Sequence, residues 1–295
     1  MTGCNIIVTG ASSGLGLALT RHLATHGATV LMAVRDPEKG ERVRRDLSSA
    51  NLDGTLEVWP LDLLDLDSVR RFADGVRDDG RPIDVLVNNA GISNQPRRLS
   101  SQGYESQFAT NHLGHFALTG LLLESLERGD DPRVVTMASG YYRYVRGGLN
   151  FNDLNGEKRY SPIGAYARSK LANVLFGLDL ERRLRAADSP VRSLIAHPGI
   201  AATSMSQSAN STAERLLAKA ITLLMARPAE QSVLPILYAT AATEAGPGVF
   251  IGPTGPRQNT RVTLDDFVGP ATDEQPAVRL WDVSEELTGV RYLDT

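Results

Sequence analysis

The chain has 295 residues, 42% hydrophobic and 22% charged, with a formal net charge of -3. These are proportions of a water-soluble fold with a large core, and the weak negative charge gives no drive toward nucleic acid or an anionic membrane. Cys4 is the only cysteine, which excludes an intrachain disulfide and a cysteine metal cluster; no apolar run reaches the ~18 residues of a membrane span and no signal-peptide pattern opens the chain, so a cytoplasmic protein without a membrane anchor is expected.

Residues 5–8 form a short apolar run, the pattern of a strand buried on both faces. A glycine-rich turn follows at Thr9, Gly10, Ser12, Ser13, Gly14, Leu15 and Gly16, and then a helical pattern through His26. Strand, glycine turn and helix in that order are the context of a dinucleotide fingerprint. Gly10 permits the tight turn, Gly14 lets the backbone approach a pyrophosphate, and Gly16 lets the helix pack on the strand. The helix N-terminus then offers free N–H groups and a favourable dipole to phosphate.

The second strand, 28–34, runs into Arg35. An acid at this point would hold a ribose 2′-hydroxyl and repel a 2′-phosphate; an arginine pairs with the phosphate. A charge-assisted bond of ~1.5–3 kcal/mol favours NADP(H) over NAD(H) by roughly 10- to 150-fold. The plainer reading is a surface arginine paired with Asp36.

A helix is predicted over 38–50 and a third strand over 56–61, ended by Asp62 and Leu63. Asp62 suits an adenine amino group or the cap of a helix starting near Asp67. The fourth strand, 83–87, leads into Asn88, Asn89, Ala90 and Gly91, small residues that admit a ligand at the carboxyl end of a strand. A long helix is predicted over 103–128, although Asn111 and Gly114 both disfavour a helix interior. His112 and His115 are not spaced as metal ligands, and structural or surface roles are expected for both; no metal site is expected.

The fifth strand, 133–137, ends at Ser139, too weak a nucleophile alone but a suitable donor to a carbonyl oxygen. Residues 141–162 read as irregular and rich in aromatics. The helix at 164–187 carries Tyr166 and Lys170 on one face, four residues apart. The cation is expected to lower the phenol pKa and make it a proton donor and acceptor near neutrality.

After a sixth strand at 191–196 come Pro198, Gly199, Ile200 and Thr203, whose backbone suits a flat carboxamide. Residues 204–227 read as an apolar lid or a plain core helix, 228–242 as a helix, and 248–251 as a last strand. The tail is expected to be irregular until a helix at 274–288 packs back through Trp281.

Taken together, Thr9, Gly10, Gly14, Gly16, the segment 88–91, Asn111, Ser139, Tyr166, Lys170, Pro198, Gly199 and Thr203 resemble the short-chain dehydrogenase/reductase family along nearly the whole chain. The insert at about 140–163 resembles its retinol dehydrogenase-like branch, whose membrane members carry an N-terminal anchor. The resemblance implies a single α/β domain over 1–295, a Rossmann fold with a doubly wound seven-stranded parallel sheet. It also implies Asn111, Ser139, Tyr166 and Lys170 as a catalytic tetrad, with Asn111 ordering a water between Lys170 and solvent. The implied partner is a small hydrophobic ketone, aldehyde or alcohol, reached by hydride transfer. A redox sensor without chemistry, or an epimerase or dehydratase with transient cofactor redox, are the alternatives. A homo-oligomer through the two long helices is also open.

Overall fold

The computed structural model describes residues 1–49, 52–199, 228–256 and 259–293. The expected lid at 204–227, with Ile200 and Thr203, lies outside the described residues.

The first half alternates strand and helix: β1 (Asn5–Thr9), α1 (Gly14–Thr25), β2 (Thr29–Val34), α2 (Pro37–Ser48), β3 (Thr55–Pro60), α3 (Leu66–Asp79) and β4 (Val85–Asn88). The second half continues with α4 (Gly114–Glu127), β5 (Arg133–Met137), α5 (Pro162–Ala186), β6 (Arg192–Ala196), α6 (Leu234–Ala241), β7 (Phe250–Thr254), β8 (Arg261–Asp265) and α7 (Gln275–Thr288). The strands form one sheet in the order β3-β2-β1-β4-β5-β6-β7-β8. Chain order reverses between β1 and β4, where Ile6 pairs with Val85 and Val8 with Val87. In such a sheet the crevice at the carboxyl ends beside the reversal is where ligands bind.

The first seven strands are parallel, and the inner ones, β1, β2, β4, β5 and β6, are almost wholly buried, which explains their apolar runs: both faces are covered and no alternation is needed. One face buries Leu19, Leu23, Val30 and Val87 with α1 and α6. The other buries Leu86, Phe116, Phe176 and Leu180 under α3, α4 and α5.

Three expectations are corrected. The sheet has eight strands, because Arg261–Asp265 adds an antiparallel edge to β7, with Leu264 opposite Ile251. The tail that reads as irregular is there a half-exposed strand of five residues, too short and too polar to stand out. The helix expected over 103–128 is broken: Ser106–Phe108 is one α-turn, Ala109–Leu113 is a wider π-turn, and only then does α4 begin. The irregular segment starts with a 3-10 turn at Gly140–Tyr144, capped by the Ser139 hydroxyl, which accepts from the Tyr141 N–H.

The C-terminal segment covers α4 and α5. Trp281 lies 5.1 Å from the Phe116 ring and 6.0 Å from Phe176, and the Tyr292 ring 5.0 Å from Phe116. At these positions the apolar surface of the two long helices, whose pairing between subunits the sequence leaves open, is covered by the chain's own tail.

Candidate active site

A cavity of about 400 Å3 runs along the carboxyl ends of the strands, from the glycine turn to Tyr166 and Lys170. Ser12, Ser13, Leu15, Arg35, Asp62, Leu63, Asn89, Ala90, Gly91 and Pro198 also line it. The strand-end geometry thus brings together most of the residues singled out from the sequence.

At one end, Gly10 and Gly14 have φ of 69° and 54°, the left-handed region that glycine enters without strain. A Cβ on Gly16 would lie 2.4 Å from the Gly10 carbonyl oxygen and 2.6 Å from Asn89 Nδ2, so only glycine lets α1 approach this closely. The Ser13 side chain makes no capping bond and no acid stands in the first turn of α1. Its N-terminal N–H groups and dipole therefore face the cavity without a competing negative charge.

Arg35 is exposed and takes part in none of the ion pairs among the described residues. Its expected partner Asp36 is engaged elsewhere, where Oδ1 accepts the Lys39 N–H at 2.9 Å and caps α2. That turn also puts Lys39 on the cavity wall, a second cation that sequence reasoning missed. Asp62 is not the helix cap. Its Oδ1 accepts from Leu64 N at 3.0 Å in a local turn, while Asp65 caps α3 through Asp67 N.

At the other end, β5 and α5 bring Ser139, Tyr166 and Lys170 together. The Ser139 hydroxyl is hydrogen-bonded to the Tyr166 phenol, and both side chains are 8% exposed. Lys170 Nζ donates to the Met137 carbonyl at 2.8 Å and lies 6.0 Å from the centre of the Tyr166 ring. Asn173 Nδ2 donates to the same carbonyl at 2.9 Å, a support the sequence did not reveal.

The expected electrostatics are corrected here. Burial pushes the Tyr166 phenol up from its ordinary value, the Ser139 hydrogen bond pulls against it, and Lys170 is not among the causes. The ammonium is engaged with the backbone of β5, and its own pKa is lowered to about 8 by burial.

Asn111 is fully buried in the π-turn. Its Oδ1 accepts from Ile92 N at 2.8 Å, and its Nδ2 donates to Ile92 O and to Ser169 Oγ, each at 2.9 Å. It therefore braces the loop after β4 against the residue beside Lys170. Asn89 Nδ2 donates to Thr9 O at 2.7 Å, so this side chain ties β4 to β1 rather than bonding local backbone. Gly199 has φ of 68° and donates its N–H to His197 Nδ1 at 3.2 Å.

Comparisons with known proteins bear on this geometry. The family model described as short chain dehydrogenase matches residues 4–214. Mouse retinol dehydrogenase 14 is 36% identical, with 98% of this chain and 87% of the relative covered. Mouse polyprenol dehydrogenase is 37% identical, with 96% and 83% covered. Among solved structures, an uncharacterized protein from Mycobacterium paratuberculosis is 43% identical, with a TM-score of 0.79 and 99% and 95% of the two chains covered. A protein from Beutenbergia cavernae solved with bound NADP is 26% identical, with a TM-score of 0.64 and 81% and 90% covered. With its α/β Rossmann sheet and these relatives, the chain belongs to the short chain dehydrogenase family, in its retinol dehydrogenase-like branch.

Proposed function

We propose that this oxidoreductase uses NADP(H) to interconvert a hydrophobic ketone or aldehyde and its alcohol, with Tyr166 as general acid and base. The observation that carries the reading is one cavity that joins an anion-suited glycine turn to a buried tyrosine and lysine, with Ser139 beside the tyrosine.

The residues present fit a phosphorylated dinucleotide. The α1 N-terminus, with Gly10, Ser12, Ser13, Gly14, Leu15 and Gly16, suits a pyrophosphate. Arg35 and Lys39 suit a 2′-phosphate, while Asp62 and Leu63 line the adenine side. Asn89, Ala90, Gly91, Pro198 and Gly199 would receive the nicotinamide half; Ile200 and Thr203 continue that set in the sequence. When bound, the cofactor supplies or accepts the hydride.

The protein's part is proton transfer and orientation. Burial keeps the Tyr166 phenol protonated at neutral pH, ready to give its proton to a carbonyl oxygen as hydride adds to the carbon. The Ser139 hydroxyl shares that oxygen and stabilises the charge building on it. Lys170, still largely cationic at neutral pH and anchored on the Met137 carbonyl, offers its remaining N–H donors to a ribose hydroxyl. Asn111 holds Ile92 and Ser169 in register with this group. In alcohol oxidation the same proton returns to a Tyr166 phenolate.

The mouth supports an apolar substrate. Tyr141 stands edge-on to Tyr166 at 5.8 Å and to Tyr144 at 5.8 Å. Tyr144 is 76% exposed and Tyr141 is exposed beside it. Such a cluster has apolar area to offer a ligand. Relatives named for retinol and polyprenol, both long apolar alcohols, favour the same class here.

A panel of ketones, aldehydes and alcohols, followed at the NADPH absorbance band with NADH as control, tests the reading. Turnover of apolar carbonyls with NADPH is expected. Nucleotide binding without turnover across the panel would favour a sensor, and a clear NADH preference would overturn the role of Arg35.

A further inference from the structure

His115 lies in the first turn of α4, behind the cavity wall, and is 2% exposed. Its Nδ1 is 3.0 Å from the Asn111 carbonyl oxygen and its Nε2 is 2.9 Å from Thr9 Oγ. A carbonyl only accepts, so Nδ1 carries the proton and Nε2 of the neutral ring is an acceptor. The Thr9 hydroxyl then donates to Nε2. Its lone pairs receive the N–H groups of Asn89 and Ala90, each at 2.9 Å, and its more distant contact is the Val87 carbonyl at 3.2 Å. Burial lowers the imidazole pKa to about 4, which agrees with a neutral ring.

The hydrogen bonds therefore form one directional chain: Asn89 and Ala90 N–H to Thr9, Thr9 O–H to His115, and His115 N–H to Asn111. Thr9 immediately precedes Gly10, where the glycine turn starts. Asn111 in turn holds Ser169, the neighbour of Lys170. No other hydrogen-bonded side chain among those described joins the Thr9 hydroxyl to the Asn111 carbonyl.

We infer that His115 is a positioning residue that ties the nucleotide-binding turn to the catalytic helices through its two ring nitrogens, each serving one half of the cavity. This rests on the oxidoreductase reading of the site. Nε2 fixes Thr9 and with it the turn that takes the phosphates. Nδ1 fixes the π-turn carbonyl of Asn111 and with it the group around Lys170 and Tyr166.

The two halves are separable by substitution. His115→Gln places an amide near Nε2, keeps a partner for Thr9 and gives up the bond to Asn111. His115→Asn places an amide near Nδ1, keeps the donor to Asn111 and gives up Thr9. His115→Phe gives up both. NADPH dissociation constants by fluorescence, and kcat on the best carbonyl of the panel, are measured for each variant and for the parent chain, with thermal melts alongside.

The expected result is a split. His115→Gln keeps NADPH affinity within about twofold and loses roughly tenfold in kcat, the size of one net hydrogen bond. His115→Asn keeps kcat and loses roughly tenfold in NADPH affinity. A lower melting temperature in all three, with affinity and kcat unchanged, would overturn the inference and leave His115 a core residue. Loss of both quantities together in both amide variants would also overturn it. If His115→Phe does not fold, the amide pair still decides. If the parent chain turns over no carbonyl, the oxidoreductase reading fails separately, and the NADPH affinities of the amide pair still test the Thr9 link.

Discussion

Tyr166 and Lys170 show how far a spacing can be taken at the scale of single residues. Four residues on a helix place both side chains on one face, and the structure has them there. Spacing does not say where the ammonium points, and it points to the Met137 carbonyl. The phenol is therefore governed by burial and by Ser139, with a pKa above its ordinary value. Tyr166→Phe should lower kcat by roughly 10²–10⁴, the usual worth of a positioned acid, and leave NADPH affinity nearly unchanged; comparable turnover in the variant would remove Tyr166 from the chemistry. The pH profile follows from Lys170, whose pKa of about 8 lies below the ordinary 10.5. The ammonium is present at pH 7 and lost as pH rises through about 8. Carbonyl reduction at saturating NADPH should hold near neutrality and fall on the alkaline side, and Lys170→Met should abolish that limb along with most of the rate. Arg35 was legible because it ends a strand at a fixed distance from the glycine turn. Lys39 was not, because a lysine on a charged helix face carries no mark of the cavity it borders. Replacing Arg35 by glutamate should lower the NADPH over NADH preference by roughly 10- to 150-fold, the range of one charge-assisted bond, as read from kcat/KM with the two cofactors.

At the scale of elements, the inner parallel strands were legible because they are buried, mostly apolar runs closed within a few residues by glycine, asparagine or proline. The break ahead of α4 was signalled only by composition: Asn111 and Gly114 disfavour a helix, and here the chain widens into a π-turn at 109–113. A turn of this kind, frequent at functional sites, frees backbone groups that side chains then engage. The eighth strand escaped because a five-residue edge with no buried residue resembles a loop in sequence. The last helix was placed correctly from Trp281, but what it covers depends on contacts far apart in the chain. Trp281 sits 4.7 Å from the Tyr292 ring, edge-on to Phe116 and under the Arg183 guanidinium at 4.4 Å. Trp281→Ala should cost about 3–5 kcal/mol of stability, as large-to-small changes in a full core do. Urea unfolding checks this; a loss below ~1 kcal/mol would mean that the C-terminal helix is docked without contributing to the core.

For the whole molecule, the reversal of strand order between β1 and β4 makes the fold and the site inseparable. The crevice exists because adjacent strands send their connections to opposite faces, and buried polar bonds then hold its rim together. Buried histidines make such bonds along the site and behind it: His112, His115 and His197 bond to Ser284 in the C-terminal helix, to Asn111 and Thr9, and to the Gly199 N–H. Spacing alone left the first two between core and surface; they prove to be core. Burial lowers their pKa values from 6.5 to about 3 for His112 and about 4 for His115 and His197. The native chain thus stays unprotonated at these rings over a range in which the unfolded chain binds a proton on each. Stability from this source is fully present above about pH 6.5 and is lost as pH falls toward 4. Each proton contributes about 1.4 kcal/mol per pH unit, so three together reach about 4 kcal/mol per unit. Urea midpoints measured at pH 7, 6 and 5 should fall steeply, with proton uptake on unfolding approaching three. A midpoint constant from pH 7 to 5 would show that the three rings are solvated in the folded chain, and the rim of the crevice would then need another explanation for its rigidity.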